Sequence, residues 1–532
     1  MTDHLDVAAP DDRDRLVAAA TALALLLAAG TARFAPYAAA GIGVVVAAGG
    51  TAAHYAPRLR EVSRRSRSLG AAPDLVALVV LGLRVSPAVE SASAFAADAG
   101  RGRLADSLAA HVRAAHGEPA AGFAAFAETW SDHLPSLRRA AALAAAGVDA
   151  PDGDRERLLD RALAAVVDGT RERTSEYADA VRGPTTAVYA FGVVLPLALV
   201  GVVPAAASAG VPLTVGAFVL GYDLVLPLAV LGAAAWLLAR RPVAFPPAPV
   251  LDDHPALIGR RRDALLAAVG GLAAAVVASR LLPEWATPLL FVGWPAGFAL
   301  AAWHRPACQL RERARALERG FADALSLLGH RLRERQAVEA AVADVGDTLD
   351  GPTGEAFADA ARRMRQLRVG VEAAFLGEYG PLARTPSERA RAAVALSVRA
   401  AESGAAGGRV LVDVAGLFDD LAGLDREVRR EFAATTRTLR HTALVYAPLV
   451  AGVTVALAGR VRGLNGASAL AQSSLALAVG GYVLWLAVLL PTLAVALERG
   501  LDRALVGYHA GVAVACATVV YPVTAVAAGT LL

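Results

Sequence analysis

The sequence contains no lysine: all 52 of its basic residues are arginine. The chain therefore cannot form a Walker A phosphate loop, a lysine Schiff base or a kinase active site, because each of these needs that side chain. It has only two cysteines, Cys308 and Cys516, which lie far apart and form no CxxC pair. We expect neither a disulfide framework nor a thiolate metal site. The net charge of +3 is too small to indicate nucleic-acid binding.

Catalytic motifs are also missing. The chain has no GxSxG sequence and no glycine-rich nucleotide-binding loop. His111, His116 and His133 occur in one block, but no HExxH or carboxylate spacing accompanies them, which favours solvated or capping histidines over metal ligands. We expect no catalytic, cofactor-binding or metal site. The acidic start also predicts that no secretory signal is present, since a signal peptide begins with basic residues.

Hydrophobic residues, in contrast, are abundant: they make up 56% of the chain, and the mean hydropathy is +0.47. Soluble domains contain about 45–50% apolar residues, so the composition indicates a membrane protein. Nine apolar runs approach the ~20 residues that a helix needs to cross a bilayer. They are Leu16–Gly30, Phe34–Tyr55, Thr185–Ala206, Leu213–Leu238, Leu265–Leu282, Ala286–Trp303, Thr442–Gly459, Leu470–Leu497 and Tyr508–Leu531. The predicted fold class is an all-α, polytopic membrane protein.

Arginine clusters flank the predicted spans and orient them. Dense basic flanks, such as Arg58–Arg67 and Arg260–Arg262, mark the cytoplasmic side by the positive-inside rule. Two Ala-rich blocks with helical periodicity then lie in the cytoplasm, beneath the cytoplasmic membrane. The predicted organisation is a transmembrane pair (1–56), cytoplasmic helical domain 1 (57–184), a transmembrane pair (185–239), a linker (240–263), a transmembrane pair (264–303), cytoplasmic helical domain 2 (304–441) and three transmembrane helices (442–532).

An internal repeat organises the chain. The stretch Asp74–Ala92 recurs as Asp323–Ala341 at a constant offset of 249, and seven of its first seventeen positions are identical. Self-similarity at a fixed offset is typical of a duplicated unit. We therefore predict that the two cytoplasmic domains are duplicates and that each leads into membrane spans.

The second block ends in a long amphipathic helix. Its apolar residues are spaced alternately four and three apart, as in a coiled coil; they are Val410, Val414, Leu417, Leu421, Leu424 and Val428. Such a seam serves either packing within the domain or contact with a partner helix. Gly404, Gly407 and Gly408 are expected to form the turn before this helix. The helix is expected to continue directly into the span Thr442–Gly459.

Asp223 is the one acidic residue well inside a predicted span. A carboxylate in the membrane is costly, so Asp223 is a candidate intramembrane polar site. The alternative is a purely structural contact between helices, in which Asp223 is protonated or hydrogen-bonded, for example to Tyr222.

Three stretches together resemble the type II secretion system F domain family. They are LVALVVLGLRVSPAVESA with its repeat LSLLGHRLRERQAVEAA, the stretch AAESGAAGGRVLVDVAGLFDDLAGLDREVRREF, and the exit into the membrane through YAPLV. The chain departs from the simplest family pattern, because it has nine predicted spans and because its first block carries AAAGVDAPDG where an ESG-type turn is expected. It is closer to the archaeal and tight-adherence-like branch.

The resemblance implies a non-enzymatic platform at the base of a type IV pilus or type II secretion machine. Its implied partners are a hexameric secretion ATPase, pilin-like subunits, membrane lipid and a second copy of the chain, but no nucleic acid. The implied partner-binding residues are Arg426, Glu427, Arg429, Arg430, Glu402 and Gly404. The competing interpretation is a multi-pass transporter or permease that uses Asp223, and a third is a membrane sensor or scaffold.

Overall fold

The computed structural model describes residues 70–100, 102–115, 121–209, 214–239, 254–402, 405–465 and 472–531. Within these ranges the chain is helical and contains no strand, so the all-α prediction is confirmed. The predicted spans Leu16–Gly30 and Phe34–Tyr55, His116, the linker up to residue 253 and Gly404 lie outside the described residues.

The first half of the chain forms a bundle of short helices followed by a long one. The short helices are α1 (Ala72–Val85), α2 (Val89–Ala99), α3 (Arg103–Ala114), α4 (Ala121–Ser131) and α5 (Pro135–Asp149). Helix α6 (Asp152–Tyr189) continues through a π-helical turn (Ala190–Val194) into α7 (Leu195–Ser208). Helix α8 (Val215–Val219), a second π turn (Leu220–Val225) and α9 (Leu226–Ala239) complete this half.

The second half follows the same order but starts from a longer helix. Its elements are α10 (Arg260–Ala278), α11 (Thr287–Arg333), α12 (Val338–Thr348), α13 (Gly351–Leu367), α14 (Val371–Leu376) and α15 (Glu388–Glu402). Helix α16 (Ala405–His441) continues through a third π turn (Thr442–Tyr446) into α17 (Ala447–Asn465). Helices α18 (Gln472–Arg499) and α19 (Arg503–Leu531) end the described chain.

Six helices are long and apolar enough to span a membrane. They are Gly153–Pro204, Gly216–Leu238, Glu284–Arg333, Gly407–Arg460, Gln472–Arg499 and Arg503–Leu531, and each contains one of the predicted spans or most of it. The predicted span Leu265–Leu282 falls largely in α10, which is not among the six. Three arginines and Asp263 occupy the first turn of that helix, so its apolar part is short. The chain is thus shown as a helical membrane protein with six candidate spans among the described residues.

Two large hydrophobic clusters lie at opposite ends of the long helices. The first joins side chains from both helical blocks into one contiguous core, which includes Phe126 and Phe321. The second lies among the apolar helices and is built around Tyr482 and Tyr521. Helices α6 and α16 reach from the first cluster to the second. Helix α11 does so as well, with Leu289 in the second cluster and Phe321 in the first. The molecule is therefore a helical bundle joined to a set of apolar helices by these three elements.

Helices of the two blocks correspond in order and spacing. Helix α2 begins at Val89 and α12 begins at Val338, which are 249 residues apart, the offset of the sequence repeat. Helices α6 and α16 begin at Asp152 and Ala405, which are 253 residues apart. The helices of the two blocks therefore start at nearly constant spacing along the chain.

Candidate functional site

Two of the three long helices that connect the bundle to the apolar helices run side by side. The continuous helix from α6 to α7 packs against the continuous helix from α16 to α17. Contacts between them advance in the same direction along both: the Tyr177 ring lies 6.1 Å from the Phe432 ring, and Gly201 lies against Thr454. The two helices are therefore parallel, and both pass from the bundle into the apolar region.

Ion pairs join the bundle ends of these two helices. Arg171 Nε donates to Glu427 Oε2 at 2.9 Å, and Arg182 Nη2 donates to Glu431 Oε1 at 3.1 Å. Arg84 of α1 contacts Asp160 of α6 and reaches Asp413 of α16 at 3.8 Å. Each exposed pair contributes only about 0–1 kcal/mol. The pairs show how α6 and α16 are aligned at the bundle end.

Close packing continues between the two helices in the apolar region. A Cβ atom placed on Gly201 would lie 3.3 Å from Thr454 Cγ2. Glycine lets the two backbones approach closely, which is how helices associate where no water drives their contact. The pair therefore stays joined from the bundle into the apolar region.

A π turn interrupts each of three apolar helices, and each lies just before a proline. Leu195, Leu226 and Ala447 donate backbone hydrogen bonds five residues back, to Ala190, Gly221 and Thr442. The next residue in each case is Pro196, Pro227 or Pro448, which has no N–H group and whose ring crowds the preceding turn. Widening the helix by one residue relieves that crowding. Proline alone does not cause a π turn, since Pro491 lies inside the uninterrupted helix α18.

Tyrosine hydroxyls bind carbonyl groups that are exposed at these turns. Tyr482 of α18 donates to the carbonyl oxygen of Gly192, which an amide at position 196 would bind in a regular α-helix. Tyr222 donates to the carbonyl oxygen of Pro196 at 3.2 Å. The Tyr222 and Tyr482 rings lie 4.8 Å apart. Three helices therefore meet at the π turn of the α6–α7 helix.

Asp223 lies in the second π turn, beside these tyrosines. Its Oδ1 atom is buried and has no hydrogen-bond partner among the described residues, and a Cβ atom placed on Gly481 would lie 3.6 Å from it. The Tyr222 hydroxyl bonds to Pro196, so it does not supply the hydrogen bond to Asp223 that was given as an example of a structural contact. The carboxyl group is therefore a partly buried polar group among apolar helices, as its sequence position predicts.

The predicted partner-binding residues of α16 occupy different environments. Glu427 is bonded to Arg171, and Arg429 is paired with Asp425 at 3.0 Å, so both are committed within the chain. Arg426 and Arg430 are exposed and have no carboxylate partner among the described residues. Glu402 ends α15, but its side chain lies outside the described residues, as does all of Gly404. The predicted set is thus only partly available for binding.

The apolar seam of α16 faces the interior of the protein. The seam residues Val414, Leu417, Leu421, Leu424 and Val428 are all buried within the chain, which supports packing within the protein over contact with an external helix.

The expectation for Gly408 is wrong. Helix α16 begins at Ala405, so Gly407 and Gly408 lie in its first turn and do not form the turn before it. A Cβ atom on Gly408 would lie 2.7 Å from the Gly329 carbonyl oxygen. The glycine is therefore needed for close packing of α16 against α11.

A half-buried ion pair joins the two blocks at the bundle. Arg389 Nε and Nη2 donate to the two carboxylate oxygens of Asp74, at 2.7 and 3.1 Å. Burial is the strongest single effect and lowers the pKa of Arg389, but the carboxylates of Asp74, Glu318 and Asp425 together raise that pKa above its ordinary value. Asp323, which matches Asp74 in the repeat, is exposed. Matched residues of the repeat thus have different roles.

A second set of ion pairs lies where α18 ends and α19 begins. Glu498 binds Arg440 of α16 at 2.6 Å and Arg499 at 3.0 Å. The fully buried Asp502 side chain contacts Arg311 of α11. These contacts tie α16, α11 and the last two helices together at one level of the molecule.

Sequence reasoning missed both the π turns and the long-range ion pairs. The prolines gave a usable signal. Pro196, Pro227 and Pro448 lie inside apolar runs, and one residue separates each of them from the end of its π turn. The Asp74–Arg389 pair gave no signal in the sequence, because the two residues lie 315 positions apart.

Comparisons of this chain with protein-family models, curated proteins and solved structures find no match.

Proposed function

We propose that the chain is a non-enzymatic membrane platform that couples a cytoplasmic secretion ATPase to the assembly of pilin-like subunits, in a machine of the type IV pilus or type II secretion class. In this proposal the helical bundle lies on the cytoplasmic side of the cytoplasmic membrane. The whole chain has nine spans and is built from a duplicated unit.

One observation carries the proposal: two parallel helices run from the bundle into the apolar region, and each is continuous apart from a single π turn. Helix Gly153–Pro204 has 52 residues and helix Gly407–Arg460 has 54. At 1.5 Å per residue, each is about 80 Å long. A force on the bundle can therefore move the apolar ends directly, because a continuous packed helix transmits displacement as a rigid element.

The duplication is supported by matching details in these two helices. Their π turns begin at Ala190 and Thr442, which are 252 residues apart, and Pro196 and Pro448 follow at the same separation. Each turn lies near the point where its helix becomes apolar. A widened turn is a local weakness in a stiff helix, so the two turns are suited to bending when the bundle is displaced.

Two exposed arginines of α16 allow the docking of the ATPase to be tested. Arg426 and Arg430 are exposed and free of carboxylate partners among the described residues, so their reversal breaks no ion pair. The double variant R426E/R430E should retain membrane insertion and thermal stability but lose ATPase association and filament formation. R139E/R365E is the matched control, because both arginines are exposed, lie on other helices and undergo the same change of charge. Equal association of the ATPase with both variants would contradict the proposal.

Asp223 favours a second candidate function, a transporter. An unpartnered carboxyl oxygen among apolar helices is suited to bind a cation or a proton during transport. In that case D223N would abolish the uptake of a substrate, and the loss of Arg426 and Arg430 would leave uptake unchanged.

A further inference from the structure

A large cleft with arginine walls opens beside α16, away from the contact with α6. It has a volume of about 960 Å³ and lies between α11, α16 and the end of α18. Seven arginines and four acidic residues line it. Its size falls within the ~300–1,000 Å³ that is usual for small-molecule sites, and its charge favours an anion.

Three of the seven arginines are neutralised within the chain. Arg389 is paired with Asp74, Arg429 with Asp425 and Arg499 with Glu498. The other four have no carboxylate partner among the described residues: Arg313, Arg315, Arg319 and Arg426. Three acidic side chains outside these pairs also line the cleft: Glu312, Glu318 and Asp419. The unpaired groups of the cleft therefore hold an excess of one positive charge, which favours binding of an anion.

Of the four, Arg315 has the least favourable environment for its charge. It lies in α11 beyond the apolar segment that ends at Trp303, and it is half-buried. Burial, together with the nearby cations of Arg499 and Arg429, lowers the pKa of Arg315 to about 10. The group stays charged at neutral pH, at a cost in free energy that a bound anion would reduce.

The helix geometry places these cations opposite one another. Arg315 and Arg319 lie one turn apart on α11, and Arg426 lies on the cleft-facing side of α16. Guanidinium groups bind phosphate oxygens with paired hydrogen bonds, more favourably than they bind a single-point anion. We propose that this cleft is a binding site for a phosphate group, held by Arg315, Arg319 and Arg426. The inference does not depend on the proposed function.

Two sources can supply this chemistry, and the test separates them. In the first arm, inorganic pyrophosphate is titrated into the detergent-solubilised full chain by calorimetry. In the second, the chain is reconstituted in phosphatidylcholine nanodiscs with a minor fraction of phosphatidylglycerol, re-extracted, and the retained lipids are quantified by mass spectrometry. Saturable pyrophosphate binding indicates a soluble ligand, and selective retention of phosphatidylglycerol indicates a lipid headgroup.

The deciding variant is R315Q/R319Q. In whichever arm the parent chain binds its probe, this variant should bind it about 10-fold more weakly or worse, because two charge-assisted contacts are lost. The matched control R365Q/R437Q removes two exposed arginines outside the cleft and should bind like the parent. R315Q/R319Q should also fold with an unfolding temperature no lower than that of the parent, since R315Q removes a poorly compensated cation.

Three outcomes would overturn the assignment. The first is that neither arm shows saturable binding. The second is that the cleft variant and the control lose binding equally, which would reflect overall charge. The third is that an acidic polypeptide co-purifies with the parent but not with R315Q/R319Q, while both phosphate probes fail to bind.

Discussion

The hydroxyl of Tyr482 donates a hydrogen bond to the carbonyl oxygen of Gly192, and so joins α18 to the π turn between α6 and α7. The carbonyl needs this partner because Pro196 has no N–H group to offer it. Two sequence features that are 290 residues apart thus complement each other. The contact anchors the first of the two long helices at the place where it can bend.

Removing this hydroxyl should destabilise the apolar region. Y482F leaves the Gly192 carbonyl without its side-chain donor, and the expected loss is about 1 kcal/mol, in the range of hydrogen bonds between membrane helices. The measurement is thermal unfolding in detergent. Tyr446 provides the control, since its side chain is 55% exposed; Y446F should unfold like the parent. Equal stability of the two variants would show that the bond contributes nothing.

Replacing the prolines that follow the π turns of the two long helices should straighten these helices. P196A and P448A restore the missing amide donors, so both helices should gain stability as regular α-helices. If bending at these turns is part of the cycle, filament assembly should fall while ATPase association stays normal. P491A is the control, because Pro491 lies in a helix with no π turn. Normal assembly in P196A/P448A would show that the turns are not used as hinges.

The half-buried Asp74–Arg389 pair between the two blocks should be needed for the stability of the bundle. D74A leaves Arg389 without its bidentate partner, and the expected cost is about 2–3 kcal/mol, somewhat below that of breaking a fully buried pair. Asp98 is exposed, so D98A is a matched control that should change nothing. Denaturant unfolding in detergent measures both. A D74A variant as stable as D98A would mean that Glu318, which also lies near Arg389, compensates fully.

Neutralising Asp223 separates the two candidate functions. As a platform, the chain should tolerate D223N: the amide is less costly than a carboxylate among apolar helices, so stability should be equal or higher. Assembly and ATPase association should persist. Membrane yield, thermal stability and filament counts measure these effects. Loss of assembly at normal stability would instead assign Asp223 a direct role.

The sequence predicts the helical membrane class well, because spans follow from local composition. The continuity of Thr442–Gly459 with the preceding amphipathic helix is confirmed, and the helix that contains it is one of the six candidate spans. The seam from Val414 to Val428 correctly marks a buried face, since the spacing of apolar residues in a helix decides which side packs.

Features that depend on tertiary packing were not predictable in the same way. The local pattern of charges on α16 does not distinguish Glu427, which is bonded to Arg171 of a distant helix, from the exposed Arg430. The arginine cleft likewise arises only when α11, α16 and α18 are brought together. A single sequence carries no signal for that juxtaposition.

The most direct test of the platform proposal is purification of the full chain from membranes in mild detergent, with mass spectrometry of the bound proteins. The account predicts a hexameric ATPase together with short proteins that carry one N-terminal apolar segment, and predicts loss of the ATPase in R426E/R430E but not in R139E/R365E. Recovery of the intact, folded chain with neither partner, together with a substrate uptake that D223N abolishes, would contradict it.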